Sequence, residues 1–349
     1  MSRLYFIDTL RAVAIIMMLQ GHFIHSLMDL DTINLDSPIY LLWKYFRGLT
    51  GPVFYTVSGF IFTFLLFKAK DKGNDWIRIR KGFFRALLVM GIGYSLKWRY
   101  NTTHNVEYFF TVDVLQLIGL SLLLMMSIYL LVLKNHKRYF WAMILIGTLM
   151  FITEPLYRNF DFSFLPYYVE NYLSKANGSK FILLPWFGYI AFGAALGTVF
   201  FRFGANKNFK GNLIAILFVV GAGIVWKDDM MLLELYDMTG VELFKEVAYY
   251  NYLFPRLGEV LLTFVIFYFF EDALKNKKFM KVGENTLSIF VFHFIILYGS
   301  YFGLGVYQFG YKGSMSVEVV VPLAIAFIIS SILCSNIYNK IKVATKKII

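Results

Sequence analysis

Residues 10–28 read LRAVAIIMMLQGHFIHSLM, an apolar run that carries Arg11, His22 and His25. As an α-helix its nineteen residues rise about 28 Å, close to the thickness of a bilayer's hydrocarbon core. No small-residue cleavage site follows it, and more apolar runs do. The run therefore reads as a retained first membrane helix and not as a removed secretory segment.

Working outward from that run, ten candidate spans emerge. They are Leu10 to Met28, Leu49 to Phe67, Phe83 to Trp98, Val112 to Leu133, Tyr139 to Thr153, Phe181 to Phe201, Leu213 to Trp226, Leu253 to Phe270, Gly283 to Tyr301 and Val317 to Tyr338. Composition agrees: 58% of the 349 residues are hydrophobic and 16% are charged, against about 25% charged in a soluble domain. The net charge of +12 sits in short loops and forms no basic domain with a recognition element, so no nucleic-acid partner is expected. Twenty-one Lys and Arg fall on one set of alternate loops and ten on the other. The positive-inside rule then places both termini in the cytoplasm, which fits an even number of spans. The expected fold is all-α: one integral domain over residues 1–349, crossing the cell membrane about ten times, with lipid as its surroundings. The oligomeric state stays open, a dimer included.

Cys334 is the only cysteine, so no disulfide framework can form within the chain. The five histidines are scattered and show no ligand spacing, so no metal is expected. Two long connections, Glu154 to Lys180 and Lys227 to Tyr252, are expected to fold over the outer face. The pairs Gly193/Gly197 and Gly299/Gly303 have the small-xxx-small spacing that lets helices approach closely.

Ionisable side chains inside spans are costly, and each is a candidate for function. Arg11 and His22 stand eleven residues apart, within about 20° on one helical face and about 16 Å along the axis. Asp8, His25, Ser26 and Asp29 extend the stripe. Asp113 and Gln116, and Arg256 and Glu259, are spaced one turn apart, and His293 lies in the ninth span. A histidine is the best available general base, and Asp113 or Glu259 could orient it. Arg80, Lys81 and Arg85 form a basic cluster able to meet a phosphate-bearing ligand from the cytoplasm, or simply to set topology.

The stretch Ile7-Asp8-Thr9-Leu10-Arg11-Ala12-Val13-Ala14, closing on His22, resembles the first helix of the transmembrane acyltransferase superfamily. Its members include the acyltransferase-3 proteins and the heparan-alpha-glucosaminide N-acetyltransferase-like proteins. Residues 51–60 (GPVFYTVSGF) look like its second-helix motif, and residues 113–119 (DVLQLIG) look like the fourth-helix motif of the heparan-type branch. Residues 184–189 (LPWFGY) fit that branch too, and residues 283–289 (GENTLSI) with His293 resemble the late-helix motif of both.

The resemblance implies acetyl transfer across the membrane. Cytoplasmic acetyl-CoA would be the donor, and a hydroxyl or amino group of an extracytoplasmic sugar or glycolipid the acceptor. By position His22 inherits the catalytic role and Arg11 an essential one. Ser58 of the Ser-Gly-Phe motif joins Arg80, Lys81 and Arg85 as coenzyme-binding residues. The family's paired-arginine motif after the second helix is not reproduced here. In animal heparan-type enzymes the catalytic histidine lies further toward the outer loop, which keeps His25 in competition with His22. A transporter of a small polar or anionic solute, without chemistry, is the alternative, as is an acyltransferase-like scaffold that has lost catalysis.

Overall fold

The computed structural model describes residues 4–98, 106–250, 252–309 and 311–345. Arg3, Arg99, Lys346 and Lys347, which entered the charge argument, lie outside them. In chain order the helices are α1 (Tyr5–Leu27), α2 (Pro38–Lys70), α3 (Asp75–Ser95), α4 (Val106–Phe110) and α5 (Val114–Leu131). Next come α6 (His136–Ile152), α7 (Glu154–Arg158), α8 (Tyr167–Leu173), α9 (Leu183–Phe203) and α10 (Phe209–Thr239). The last are α11 (Glu242–Tyr250), α12 (Leu253–Phe269), α13 (Lys277–Glu284), α14 (Thr286–Tyr298) and α15 (Val317–Thr345). Among the described residues β-type pairing is confined to an isolated bridge between Met28 and Met315.

The all-helical expectation holds. Six helices (α1, α2, α5, α9, α10 and α15) are long and apolar enough to cross a membrane, and the number rises to eight if the bent pairs α11–α12 and α13–α14 each form one span. The two expected spans outside that set are α3 and α6. The first begins with Asp75, Arg78, Arg80, Lys81 and Arg85. The second has only 17 residues, about 25 Å of helix.

Two boundaries differ from the sequence reading. Helix α2 begins at Pro38, well before Leu49, because Lys44 and Arg47 interrupt its apolar pattern without breaking the helix. Helix α10 runs past Trp226 to Thr239 and ends where Gly240 turns left-handed at φ 68°, so part of the expected outer loop is helix.

The chain forms two compact units. The larger comprises Pro52–Tyr94 and Val106–Phe269. In it α2 and α9 cross with backbones nearly touching: a Cβ on Gly193 would lie 1.9 Å from the carbonyl oxygen of Thr56, and one on Gly197 would lie 2.5 Å from that of Phe60. The first small-residue pair is thus a helix-crossing surface, as its spacing suggested. Hydroxyls on α2, α9 and α12 satisfy themselves, buried at Thr56 and Thr198 and half-buried at Ser58 and Thr263. Thr56, Ser58, Thr198 and Thr263 each donate to the carbonyl four residues earlier, at 2.8, 2.8, 3.0 and 2.8 Å. At the other end of α2, Lys70 Nζ donates to Lys134 O at 2.5 Å, and Lys134 Nζ donates to Asp75 at 2.8 Å. The lysine's hydrogen bond holds the Asp75 carboxyl below the usual carboxylate range.

The smaller unit comprises Arg3–Gly51, Ser95–Asn105 and Phe270–Ile349. Here Gly299 does not pack helices: it is the left-handed C-cap of α14 at φ 68°, and Gly303 turns at φ 76°. The expectation of close helix packing at this second pair fails because both glycines lie after the helix has ended, where a left-handed backbone needs glycine. The segment at residues 313–315 closes the far end of α1. Gly313 N donates to Ser26 O, and Ser314 N and Met315 N both donate to Leu27 O.

Candidate functional site

In the smaller unit the late-helix motif acts as a clamp on the first helix. Gly283 of α13 presses against α1 so tightly that a Cβ there would lie 1.8 Å from Asp8 O. The chain then bends by 72° between α13 and α14. Thr286, the first residue of α14, accepts a hydrogen bond from Arg11 Nη2 at 2.7 Å. Two residues on, Ser288 meets Ser335 of α15 at 2.7 Å and accepts from Asn339 Nδ2 at 3.3 Å. Thr286 therefore helps to fix where α14 stands on α1 and Ser288 where it stands on α15, and Arg11 is held by a threonine that is 4% exposed.

Further along α14 the clamp delivers an aromatic wall to His22. The His22 ring meets that of His293 edge-on, with centroids 5.3 Å apart and planes at 65°. Phe294 and Tyr298 flank it at 6.5 and 6.3 Å. His22 is half-buried, whereas His25, three residues on, is exposed. Ser26, on the same face as His22, shares a hydrogen bond with Tyr298 at 3.1 Å. His293 is fully buried, and among the described residues no side chain hydrogen-bonds to its ring. The sequence placed His293 in its span but gave it no role. The pairing with His22 links residues far apart in the chain, which spacing cannot reveal.

The other candidates lie in the larger unit. Asp113 is the N-cap of α5, and with Gln116 it forms a reciprocal capping box, the arrangement that closes a helix start. Glu259 accepts from Arg256 Nη1 at 2.7 Å, an ion pair in which both side chains are largely shielded. Ser58 spends its hydroxyl proton on Phe54 O. On α3, Arg80, Lys81 and Arg85 are exposed, while Arg78 is half-buried. Arg78 shares a side of the helix with the buried Gly82 and Ala86. Its guanidinium carbon stands 5.8 Å from the centre of the Phe62 ring, and its buried Nε has no hydrogen-bond partner among the described residues. Sequence reasoning had counted Arg78 among the basic residues without separating it from its exposed neighbours. The signal that separates them is its register with the small residues Gly82 and Ala86.

Comparison with known families matches residues 3–223 to the family described as "Heparan-alpha-glucosaminide N-acetyltransferase, catalytic". No curated protein matches the chain. The matched stretch carries Arg11, His22, His25, Ser58, the α3 cluster and Asp113, while Glu259 and His293 lie beyond it. A match over more than half of the sequence, on a chain with several apolar membrane-length helices, makes this an integral, multi-pass membrane protein that belongs to the heparan-alpha-glucosaminide N-acetyltransferase catalytic family.

Proposed function

We propose that this protein transfers an acetyl group from cytoplasmic acetyl-CoA to an amino or hydroxyl group of a sugar or glycolipid on the far side of the membrane, with His22 as general base. The observation that carries the reading is the His22–His293 contact on the helix that also bears Arg11. Two imidazoles and a clamped guanidinium in a membrane-embedded unit are an expensive arrangement for packing alone.

The chemistry follows from the positions. The acceptor nitrogen or oxygen attacks the thioester carbonyl and forms the new C–N or C–O bond. His22 takes the proton that this atom loses. The C–S bond breaks, the sulfur keeps its electron pair, and it leaves as coenzyme A once protonated. His293 touches His22 and serves as a positioning residue that fixes the ring's tilt. Arg11 lies about 16 Å along α1, a distance that an extended coenzyme arm can bridge with its thioester near His22. On the distribution of basic residues both termini are cytoplasmic, with ten crossings, and the Arg11 end of α1 faces the donor.

The test uses sealed vesicles holding the purified full-length protein, with radiolabelled acetyl-CoA outside and glucosamine inside. Vesicles in which the basic loops face the donor should accumulate N-acetylated sugar in the lumen. Acetyl-CoA that stays intact while glucosamine leaks out would instead establish a transporter.

For the donor site we propose that the phosphates of coenzyme A meet Arg80, Lys81 and Arg85, with Arg78 as their innermost partner. Replacing all four by glutamine should weaken acetyl-CoA binding at least about tenfold, in line with the strength of charge-assisted contacts. The single change Arg78→Gln should account for most of that loss. Unchanged affinity in the quadruple variant, measured by calorimetry, would remove the cluster from the site.

A further inference from the structure

The connection between α9 and α10 has no task in the acetyl-transfer reading. It comprises residues 204–208, reading GANKN. Its own backbone closes it: Asn206 N donates to Phe203 O at 2.9 Å, and Phe209 N donates to Asn206 O at 3.1 Å. Both helices that it joins are long and apolar enough to cross a membrane, so the turn stands at the level of lipid headgroups.

Between the last turns of α9 and the first turns of α10 lies a groove of about 530 Å³, within the size range of small-molecule sites. Its lining divides by chemistry along its length. Val199 and Phe203 stand one turn apart on α9, and Phe209, Leu213 and Ile216 follow at i, i+4 and i+7 on α10, the spacing of one helical face. The α10 wall spans seven residues, about 10 Å, which is most of the hydrocarbon depth of one leaflet. The polar lining, Asn206, Lys207, Asn208 and Asn212, gathers at the turn.

The charge at that end is of one sign. No Asp or Glu occurs from residue 171 to residue 227, and no carboxylate lines the groove. The Arg202 guanidinium carbon lies 5.0 Å from the centre of the Phe203 ring, and Lys210 Nζ lies 5.1 Å from that of Tyr268 on α12, both within the range of a cation–π contact. Lys207 is exposed and lines the groove itself. A soluble anion needs only the basic rim, whereas an apolar channel leading from that rim into hydrocarbon also needs a chain to fill it.

We propose that this groove is a binding site for one anionic phospholipid. The phosphate meets Lys207, with the amides of Asn206 and Asn212 as hydrogen-bond donors, and an acyl chain lies along Val199, Phe203, Leu213 and Ile216. Basic residues near a membrane surface favour anionic lipid by about fivefold each. Phosphatidylcholine carries the same phosphate but also a cation, which the basic rim repels.

The experiment measures binding, so it does not depend on turnover. Full-length protein in detergent micelles is titrated with phosphatidylglycerol or phosphatidylcholine, and bound lipid is counted by native mass spectrometry. The wild type should retain a phosphatidylglycerol molecule at least about fivefold more tightly than phosphatidylcholine. Lys207→Gln should reduce that preference by about fivefold, while Lys227→Gln, elsewhere on α10, should leave it unchanged. Ile216→Trp should fill the channel and block the lipid with the rim intact. Lys207→Gln alters an exposed side chain and keeps the fold, so it decides the matter even where Ile216→Trp fails to fold. Equal retention of the two lipids, or a preference that survives Lys207→Gln, overturns the site. So does displacement of phosphatidylglycerol by equimolar glycerol 3-phosphate, since the ligand would then be a soluble phosphate. A dimer that forms without lipid and that Ile216→Trp dissociates overturns it as well, because the groove would then hold a second copy of the chain.

Discussion

Replacing His22 with alanine should lower acetyl transfer by about 10²- to 10⁴-fold, the usual worth of a positioned general base, while acetyl-CoA still binds with wild-type affinity. The loss should appear in kcat and not in the KM for the donor, because the imidazole acts on the acceptor's proton as the transition state forms. His25→Ala should cost far less. His22 is half-buried against His293, Phe294 and Tyr298, whereas His25 is exposed. A ring fixed by packing keeps the geometry that proton transfer requires, and an exposed ring on the last turn of α1 does not. His293→Gln should give an intermediate loss, since it changes the wall against which the base is set. A result in which His25→Ala abolishes transfer and His22→Ala does not would give the base to the other histidine.

Gly193→Val should have the largest effect on the fold itself. A Cβ at this position would lie 1.9 Å from Thr56 O and 2.7 Å from its carbonyl carbon. Both atoms are backbone, so no side chain can swing away, and α9 would have to leave α2. Overpacking typically costs about 1–3 kcal/mol and sometimes more, a large share of the roughly 5–15 kcal/mol by which proteins are stable. Folded protein recovered by size-exclusion chromatography in detergent should fall steeply. Gly211→Ala serves as the control, because nothing lies within 4 Å of a Cβ there. Wild-type melting of a Gly193→Ala protein would show that the α2–α9 crossing can open without penalty.

How far the sequence could be read depended on the range of each relation. Those spanning one or a few turns of helix were legible: the stripe from Arg11 to His22, the one-turn spacing of Asp113 and Gln116, the Arg256–Glu259 pair and the packing role of Gly193 and Gly197. Helical periodicity fixes which side chains share a face, and each of these lies within one helix. What the sequence did not carry was which faces meet. The His22–His293 contact and the hold of Thr286 on Arg11 join the two ends of the chain. Arg80, Lys81 and Arg85 were chosen by charge alone, and charge does not say which of four neighbouring basic residues turns inward; the structure gives that orientation to Arg78. Gly299 and Gly303 matched a helix-packing spacing, yet they sit where the helix has already stopped. The acids proposed to orient His22, Asp113 and Glu259, were likewise sought by residue type, since helical spacing does not carry which residue faces a histidine on another helix.

The bond between Arg11 and Thr286 also dates an event in the protein's making. Its two ends are 275 residues apart, and ribosomes add about 5–20 residues per second. The guanidinium therefore waits on the order of 14–55 s after its own synthesis before the hydroxyl that holds it exists. Throughout that interval the first helix carries its positive charge without this hydroxyl. A nascent chain stalled before Thr286 would lack this hold on its first helix.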